Sequence, residues 1–279
     1  MPVINTNVSA LLANQAQTKT AREMSAAMQQ LSTGSRINSA KDDAAGQAIG
    51  QNMTAQVRGL NQAIRNVNDG VNLLQTADGA MAEQANMLQR MRELAVQSSS
   101  GTYSDTQRGY LNTEFVALQA QIDKIASETT WNGYALLTGA TGGGSTAAGT
   151  YSFQTGQSSG QTIDVVIGAM TAAGLGVSST NTIATAITAA VTIARVDVAI
   201  GALNSQRATL GSKINQLTYA GDNLTNISGN VQASRSTIMD TDYATASTQL
   251  SKTQIIQQAA TAMLAQANQQ PQSVLSLLK

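Results

Sequence analysis

A regular apolar spacing between Met53 and Ala95 constrains this chain more than any other feature of its sequence. Steps of four and three residues, taken alternately, meet an apolar side chain at nearly every position. This spacing is typical of a long helix that packs lengthwise against another helix. Such a helix, roughly 65 Å long at 1.5 Å per residue, would be marginally stable alone and needs a partner. The predicted contact positions are Met53, Val57, Leu60, Ile64, Val67, Val71, Leu74, Asp78, Met81, Ala85, Leu88, Arg92 and Ala95.

A second series near the other end of the chain supplies that partner. It begins at Ile193, ends at Ile238 and has a similar length. The matching lengths predict that the two helices lie side by side and so join an early part of the chain to a late one. The series continues through Val196, Ile200, Leu203, Arg207, Leu210, Ile214, Leu217, Gly221, Leu224, Ser228, Val231 and Arg235.

The composition restricts the function of the chain. Only 3% of the 279 residues are aromatic and 11% are charged, and the formal net charge is zero. The absence of Lys and Arg between Lys124 and Arg195 argues against nucleic acid or an anionic membrane as a partner. Without Cys or His, the chain lacks disulfides, thiol chemistry and the commonest general base and metal ligand. We therefore expect no enzyme activity, no metal and no cofactor.

The sequence also bears on membranes and export. The longest apolar stretches are shorter than the about 18–20 residues that span a bilayer, so we expect no membrane insertion. Residues 1–22 lack the basic and then apolar order of a secretory signal. If the protein leaves the cell, it therefore does so by a route that does not read such a signal.

Both ends of the chain predict shallow, Ala-rich amphipathic helices. The first helix covers residues 8–31 and ends near Gly34, which suits a C-terminal cap. The connector 35–46 is rich in Ser, Asn and Asp, and its plain interpretation is a solvated joint. The last helix carries apolar residues at 256, 260, 263 and 267, and its pattern is interrupted at Pro271. Since both helices cannot hide in the central bundle, they imply partners outside the molecule.

The middle of the chain predicts a change from helix to strand. Ser104 and Gln107 form a plausible capping box for a helix that folds back along the first long helix. Asn132-Gly133 then predicts a turn. Alternating residues within 151–154 and 163–167, separated by a Gly-bounded link, predict a β-hairpin that covers one end of the bundle. The rest of the Gly-, Ser- and Thr-rich region is expected to be exposed loop.

Several stretches together resemble bacterial flagellin, the subunit of the flagellar filament. The most distinctive is the run from Ser35 to Gly46, and Trp131 stands where the family more often has Phe. The resemblance covers roughly residues 1–137 and 190–279. The matching stretches are 3–7, 31–46, 89–97, 131–133, 242–244 and 265–278.

The resemblance implies a mainly α fold, in which N- and C-terminal segments form a long antiparallel helical bundle with a small β-hairpin region in the middle. It implies an inner domain of residues 1–45 and 239–279 in the filament core, and a second domain of residues 46–238 with β-hairpins at about 139–182. The joint between these domains would include Arg36, Asn38, Lys41, Asp42 and Asp43.

Unsatisfied apolar stripes at both ends predict head-to-tail self-assembly into a helical filament, and the resemblance implies that this filament is the flagellar filament used for motility. A hook–filament junction protein of the same architecture is the alternative, although it is not expected to match both 36–46 and 90–97. A membrane-inserting translocator lacks its apolar span, and an enzyme is the weakest option. The expected filament-core contacts are Leu11, Met24, Met28, Leu31, Ile256, Met263, Val274, Leu275, Leu277 and Leu278.

A recognition surface is predicted around Arg90. Arg90, Leu94 and Gln97 each lie two residues, or about 200°, beyond a predicted contact position, so they should face away from it. Leu94 would then be an outward apolar residue, and its plain interpretation is packing under the returning helix or a contact between subunits. The resemblance implies that the vertebrate Toll-like receptor 5 contacts Gln89, Arg90, Leu94, Gln97 and Glu114.

The family resemblance has further consequences for location and partners. It implies an extracellular protein of the bacterial flagellum, exported through the flagellar type III route without a cleaved signal peptide. Its partners would be further copies of itself, an export chaperone, and the cap and hook-junction proteins. Ser and Thr residues within 141–182 are candidates for O-linked sugars, with a plain solvated loop as the alternative.

Overall fold

A computed structural model describes residues 6–139 and 149–276 of the chain, with side chains described as far as residue 269. The fold is mainly α with two small antiparallel strand pairs in the middle, which confirms the predicted fold class. Two compact units are present, one built from residues before Arg58 and after Ser228 and the other from Arg58–Ser228. The elements are α1 (Val8–Thr33), α2 (Ala44–Ser99), α3 (Asp105–Glu128), β1 (Thr130–Trp131), β2 (Tyr134–Ala135), β3 (Thr150–Gln154), β4 (Thr162–Val166), α4 (Ala186–Met239) and α5 (Tyr243–Ser276).

The two long helices α2 and α4 lie side by side and antiparallel in the second unit, as their apolar series predict. Polar pairs along them show the direction, because residue numbers rise along α2 as they fall along α4. On α4, the predicted positions 196, 203, 210, 217 and 224 are all buried. The pairs are Asn61 with Ser228, Asp78 with Arg207, and Arg92 with Asp197.

The contact positions predicted on α2 are all buried or partly buried except Arg92. Leu60, Val67, Leu74, Met81 and Leu88 are buried as expected. The predicted Ala85 and Ala95 are buried too, and Ile64 and Val71 are partly buried against the core. At four positions, however, the residue one place earlier is more deeply buried than the predicted one, and the expected Arg92 is exposed with its guanidinium paired to Asp197. These more deeply buried residues are Ala63, Gly70, Ala77 and Met91.

The α2 stripe is shifted and widened because this helix has neighbours on more than one side. α3 runs back along it, so that Arg90 meets Glu114 and Gln84 meets the carbonyl of Ile122. α4 lies along another side, through the pairs given above. A helix covered on two sides buries more than a single seam. The predicted capping box at Ser104 and Gln107, which opens α3, is confirmed.

Both predicted turns of the middle region are confirmed. Asn132 and Gly133 have φ values of 49° and 83°, the left-handed values that a two-residue hairpin turn requires, and they join β1 to β2. β3 pairs with β4 so that Tyr151 faces Val165. The β3–β4 hairpin lies on α2, where Phe153 packs so closely on Gly70 that an added Cβ would come within 2.9 Å of its ring.

The expectation of an exposed loop after the hairpin is wrong for residues 169–185, which we call the covering segment. Its residues Met170, Leu175, Val177 and Ile183 are buried in the core of the second unit. A segment without regular structure can be buried only if its backbone polar groups find partners. Side chains of α2 and α3 supply them, through Gln84 to Met170, Asp123 to Ala172, Gln119 to Ser178 and Asn181, and Asn112 and Ser98 to Ile183.

One helix corrects the expectation about apolar length. α4 contains an 18-residue stretch of mean hydropathy 1.7, which is long and apolar enough to cross a membrane by length and composition alone. The prediction missed it because Arg195 and Asp197 interrupt the apolar run in the sequence. Only 28% of this stretch is buried, so α4 leaves apolar side chains at the surface of the second unit.

Candidate assembly and recognition surfaces

The first unit is built on α1 and α5, which pair with each other through small side chains. Thr20 and Ala27 of α1 and Ala246 and Thr253 of α5 are the buried residues of this pair. Both helices follow the alternating spacing of three and four residues at this contact, as two helices that pack lengthwise do. The Asn7 side-chain amide donates to the carbonyl of Ala267, 2.8 Å away, which shows that the helices are antiparallel.

Several large apolar residues of the two helices lie outside that contact. Leu11 and Met263 are each 65% exposed, and Met28 and Ile256 are exposed as well. Met24 and Leu31 are half-buried. Of the other predicted filament-core residues, the side chains of Val274 and Leu275, and the whole of Leu277 and Leu278, lie outside the described residues.

Three exposed apolar residues of this surface were missed by the sequence analysis. They are Val8, Leu12 and Ile255, each next to or one turn away from a predicted residue. The prediction followed one stripe per helix, whereas each helix carries two, a stripe of small residues for its partner and a stripe of larger residues at the surface. The spacing of the large apolar residues, considered separately from that of the small ones, would have predicted the second stripe.

The predicted joint residues lie in the first unit, where the segment that follows α1 forms hydrogen bonds with the end of α4 and with the segment that follows it. Gly34 ends α1 in the left-handed conformation, with a φ of 69°. The Arg36 backbone N–H donates to the carbonyl of Met239, and its guanidinium donates to the carbonyl of Ile238, both at 2.7 Å. The Thr241 N–H donates back to the carbonyl of Gly34. A short antiparallel bridge therefore ties the two passages of the chain together.

Carboxylates of the joint close the turns on each side of this bridge. Asp42 accepts hydrogen bonds from the Ser39 hydroxyl and from the N–H groups of Asn38 and Ser39. The Ser39 hydroxyl is the main reason that the pKa of Asp42 lies below its usual value. Asp43 accepts from the N–H of Gly46 at the start of α2. Lys41 is exposed and, with Asp42, lines a small pocket against α1.

The first helical turn of α5 has the same chemistry. Asp242 accepts from the N–H of Ala244 and from the hydroxyl of Thr245. These bonds, with that from Thr245 the largest contribution, lower the pKa of Asp242. The joint therefore contains two exposed carboxylates that are held in their ionised form by neighbouring donors.

In the second unit, the surface around Arg90 is polar and exposed. The Arg90 guanidinium lies 2.9 Å from the Glu114 carboxylate and 3.0 Å from that of Glu93. The hydrogen bond to Glu114, followed by that to Glu93, raises the pKa of Arg90 above its usual value. Gln97 donates to the Tyr103 hydroxyl at 2.9 Å, and Gln89 is exposed. We call Gln89, Arg90, Glu93, Gln97 and Glu114 the Arg90 patch.

Leu94 does not face outward, and its burial agrees with the plain interpretation that it packs within the subunit. Its side chain is 0% exposed and belongs to the core of the second unit. The prediction assumed a single narrow seam on α2, whereas the buried stripe of this helix is wide enough to include Leu94 beside Ala95 and Met91. Leu94 therefore supports the Arg90 patch from below rather than forming part of its surface.

Comparison with known proteins explains this arrangement of surfaces. Residues 4–141 match the bacterial flagellin N-terminal helical region, and residues 193–278 match the bacterial flagellin C-terminal helical region. Together these matches cover well over half of the chain. The chain belongs to the bacterial flagellin family.

Individual flagellins match along their whole length. The flagellin of Halalkalibacterium halodurans is 41% identical over 281 residues, which cover 99% of this chain and 100% of the relative. Flagellin FlaB1 of Treponema pallidum is 39% identical over 285 residues, with the same coverage of each chain. The crystal structure of Bacillus cereus flagellin matches 57% of this chain and 88% of its own, with 32% identity and a TM-score of 0.50.

Membership of the flagellin family establishes the general function. The chain is a structural subunit that assembles with its own copies into the flagellar filament, the extracellular part of the flagellum that drives motility. The described residues contain no group of three or more acidic side chains that could hold a metal ion. The exposed apolar stripes and the Arg90 patch are accordingly candidates for contacts with other proteins.

Proposed function

We propose that the paired helices α1 and α5 form the filament-core contacts of this flagellin. The observation that carries the proposal is the division of each helix into two stripes. Small residues such as Ala27 and Thr253 are buried in the contact between α1 and α5, while the large residues Leu11 and Met263 are exposed. Burial of such a side chain is worth about 1.5–3 kcal/mol. Contacts between neighbouring copies would bury them, and head-to-tail contacts that do not close build a filament.

Substitution at one exposed position tests this proposal. Met263→Gln should leave the subunit folded, because Met263 is 65% exposed, and should raise the protein concentration needed for assembly. Met263→Leu is the matched control, since it keeps the apolar surface. Salt- or seed-induced assembly, followed by sedimentation and electron microscopy, provides the measurement. Equal assembly of both variants, or normal filaments after removal of residues 1–45 or 239–279, would refute the proposal.

We also assign residues 1–45 and 239–279 to the inner domain of the filament and residues 46–238 to the second, helical-bundle domain. The joint residues Arg36, Asn38, Asp42 and Asp43 support this division, since they make the bridge and caps at which α1 gives way to α2. The compact units place the change some ten residues further along α2 and earlier along α4. A cryo-EM map of native filaments would locate the boundary.

A finer proposal concerns recognition of the monomer. The Arg90 patch presents the charged and amide groups through which, by family resemblance, Toll-like receptor 5 would bind. Arg90, Gln89, Gln97 and Glu114 would be direct contacts, and Leu94 would act by holding α2 and α3 together beneath them. The exposed ion pair of Arg90 and Glu114 leaves these groups accessible to a partner.

Two neighbouring arginines offer a matched test of recognition. Arg90→Ala should reduce receptor signalling by the monomer. Arg92→Ala removes an equally exposed ion pair, with Asp197, on another side of α2 and should leave signalling unchanged. Both variants should keep the helical circular dichroism of the parent protein. Unchanged signalling by the double variant Arg90→Ala/Gln89→Ala would rule out this patch as the receptor contact.

The export route and processing are also proposed from the family. We expect export through the flagellar type III route without a cleaved signal peptide, with an export chaperone, the cap and hook-junction proteins as partners. Among Ser and Thr residues within 141–182, Ser152, Ser158 and Thr162 are exposed and could accept sugars. The intact mass of subunits from native filaments tests both points, since cleavage lowers it and glycosylation raises it.

A further inference from the structure

Methionine is the residue type of this chain that is most open to chemical oxidation. The chain has 10 Met and no Cys, and its single Trp, Trp131, is half-buried. Thioethers are converted to sulfoxides by oxidants that reach them from solvent, so a buried thioether is shielded. Because no thiol competes for the oxidant, a peroxide should react mainly with exposed methionines.

The methionines differ widely in exposure. Met81 and Met91 are each 0% exposed and lie within the core of the second unit, as does Met170 at 7%. Within the part of the chain whose side chains the structure describes, the exposed methionines are Met28 on α1, at 49%, and Met263 on α5, at 65%. The half-buried ones are Met24, Met53, Met87 and Met239. Exposure therefore directs oxidation to one position on each terminal helix.

Both exposed methionines belong to the surface proposed for the filament-core contacts. The hydrogen bond between Asn7 and Ala267 joins the antiparallel helices α1 and α5. Four residues from it along α1 is Leu11, and four residues from it along α5 is Met263, so these two side chains lie at the same level and are equally exposed. Met28 lies near the other end of α1. A change of polarity at either methionine alters the surface that neighbouring copies would cover.

Oxidation by hydrogen peroxide makes such a side chain polar. The sulfur lone pair attacks one peroxide oxygen, so that an S–O bond forms as the O–O bond breaks. The proton of the transferred oxygen passes to the departing hydroxide, which leaves as water. The sulfur has then lost two electrons, and these have reduced the peroxide. The sulfoxide oxygen is a hydrogen-bond acceptor, and its burial in an apolar contact without a donor is unfavourable.

We propose that Met28 and Met263 are oxidation sites through which a peroxide prevents the free subunit from assembling. This inference rests on the proposed filament-core contacts, since a sulfoxide at the surface becomes unfavourable only when assembly buries it. In the filament, neighbouring copies would shield both thioethers, so the oxidant acts on subunits that have not assembled. Enzymatic reduction of the sulfoxides restores the apolar side chains.

Peptide mass mapping and seeded assembly of peroxide-treated monomers test this proposal. The gain of one oxygen should appear at Met28 and Met263 under conditions that leave Met81 and Met91 unmodified. The treated protein should leave about tenfold or more subunit unassembled at equilibrium. Methionine sulfoxide reductases for both sulfoxide epimers should restore assembly. Treated filaments should gain oxygen at Met28 and Met263 more slowly than monomers.

The double variant Met28→Leu/Met263→Leu is decisive, because it keeps the apolar surface and removes both exposed thioethers. It should assemble equally well with and without peroxide treatment. The matched control Met53→Leu/Met87→Leu removes two half-buried methionines and should lose assembly on treatment, as the parent protein does. Circular dichroism checks that every variant is folded. Equal sensitivity of the first variant and the parent protein, or earlier oxidation of other methionines, would overturn the proposal.

Met263→Gln separates this inference from the core contacts on which it rests. If Met263→Gln and Met263→Leu assemble equally well, the core contacts fail, and the oxidation proposal fails with them. If Met263→Gln impairs assembly but the parent protein with sulfoxides at Met28 and Met263 assembles as well as untreated protein, the oxidation proposal fails alone.

Discussion

Arg108 lies buried at the C-terminal end of α2 and satisfies backbone groups there. Its guanidinium donates to the carbonyls of Ser98 and Ser100, each at 2.8 Å, and to the Asp105 carboxylate at 3.0 Å. The last carbonyls of a helix have no partner within the helix. One side chain therefore caps α2 and ties it to the first turn of α3.

We expect Arg108→Met to lower the free energy of unfolding of the second unit by about 2–3 kcal/mol, because two carbonyls lose their partner. The fluorescence of Trp131, the only Trp and part of this unit, reports denaturant unfolding there. Arg65→Met is the control, since Arg65 is exposed and bonds only to Gln62; it should change stability by less than about 0.5 kcal/mol. Equal effects would show that burial of Arg108 does not matter.

The joint carboxylates make a prediction about pH. Hydrogen bonds from Ser39 and from Thr245 hold the pKa values of Asp42 and Asp242 below their usual value in the folded state. The stabilisation is thus complete above the ordinary carboxyl pKa of about 3.9 and is lost as the pH falls through the lowered, folded-state pKa. Below about pH 4, amide exchange at Ser39 and Thr245, corrected for intrinsic rates, should accelerate.

Substitution identifies the groups that titrate. In Asp42→Asn/Asp242→Asn the acceleration on acidification should disappear, because neither side chain can ionise. Asp222→Asn changes an exposed carboxylate of α4, outside the joint, and should leave the acceleration of exchange intact. A pH step that survives in the double variant would assign the effect to other groups.

At the scale of elements, the covering segment depends on polar side chains of the helices beneath it. Gln119 donates to the carbonyls of Ser178 and Asn181. Gln119→Leu leaves both carbonyls unpaired and should speed hydrogen exchange across residues 178–183, with a loss of about 2 kcal/mol in local stability. Gln121→Leu changes an exposed residue of the same helix and should have no such effect. Equal exchange in both variants would show that apolar packing alone holds the segment.

The same residues explain what could and could not be predicted from the sequence. Alternating spacing located α2 and α4, because large apolar side chains repeat along both. It did not include Ala63, Gly70 and Gln84 of α2, which are also buried, because their side chains are small or polar and carry little apolar signal. The burial of the covering segment depends on hydrogen bonds between residues 49–86 positions apart, such as that from Gln84 to Met170, which no local pattern contains.

The residues predicted for receptor recognition show the same difference between what a local sequence pattern predicts and what depends on distant parts of the chain. Arg90 and Glu114 are 24 positions apart, and only the resemblance to flagellin associated them before the structure placed them 2.9 Å apart. Leu94 was predicted to face outward because a helix with a single contact stripe is expected to be buried on one side only. The residues of the core that buries it come from other parts of the chain as well.

For the whole molecule, the two units contrast in how their apolar residues are used. The second unit buries large side chains such as Met81, Leu88, Phe115 and Leu203. The contact between α1 and α5 buries Thr20, Ala27, Ala246 and Thr253, which contribute far less apolar area. Helices with so little buried surface are marginal by themselves. A free subunit should therefore open at its terminal helices first and gain stability there only when copies assemble.

Limited proteolysis and hydrogen exchange of monomer and filament test this contrast. In the monomer, residues of α1 and α5 should exchange and be cut at protease levels that leave Arg58–Ser228 intact, because local opening costs least where few apolar contacts are buried. In the filament the same residues should be protected, since under the proposed core contacts neighbouring copies would cover Leu11 and Met263. Met263→Gln should reduce that protection in filaments and leave monomer exchange unchanged. Terminal helices that are as protected in the monomer as in the filament would show that their shelter lies within one chain.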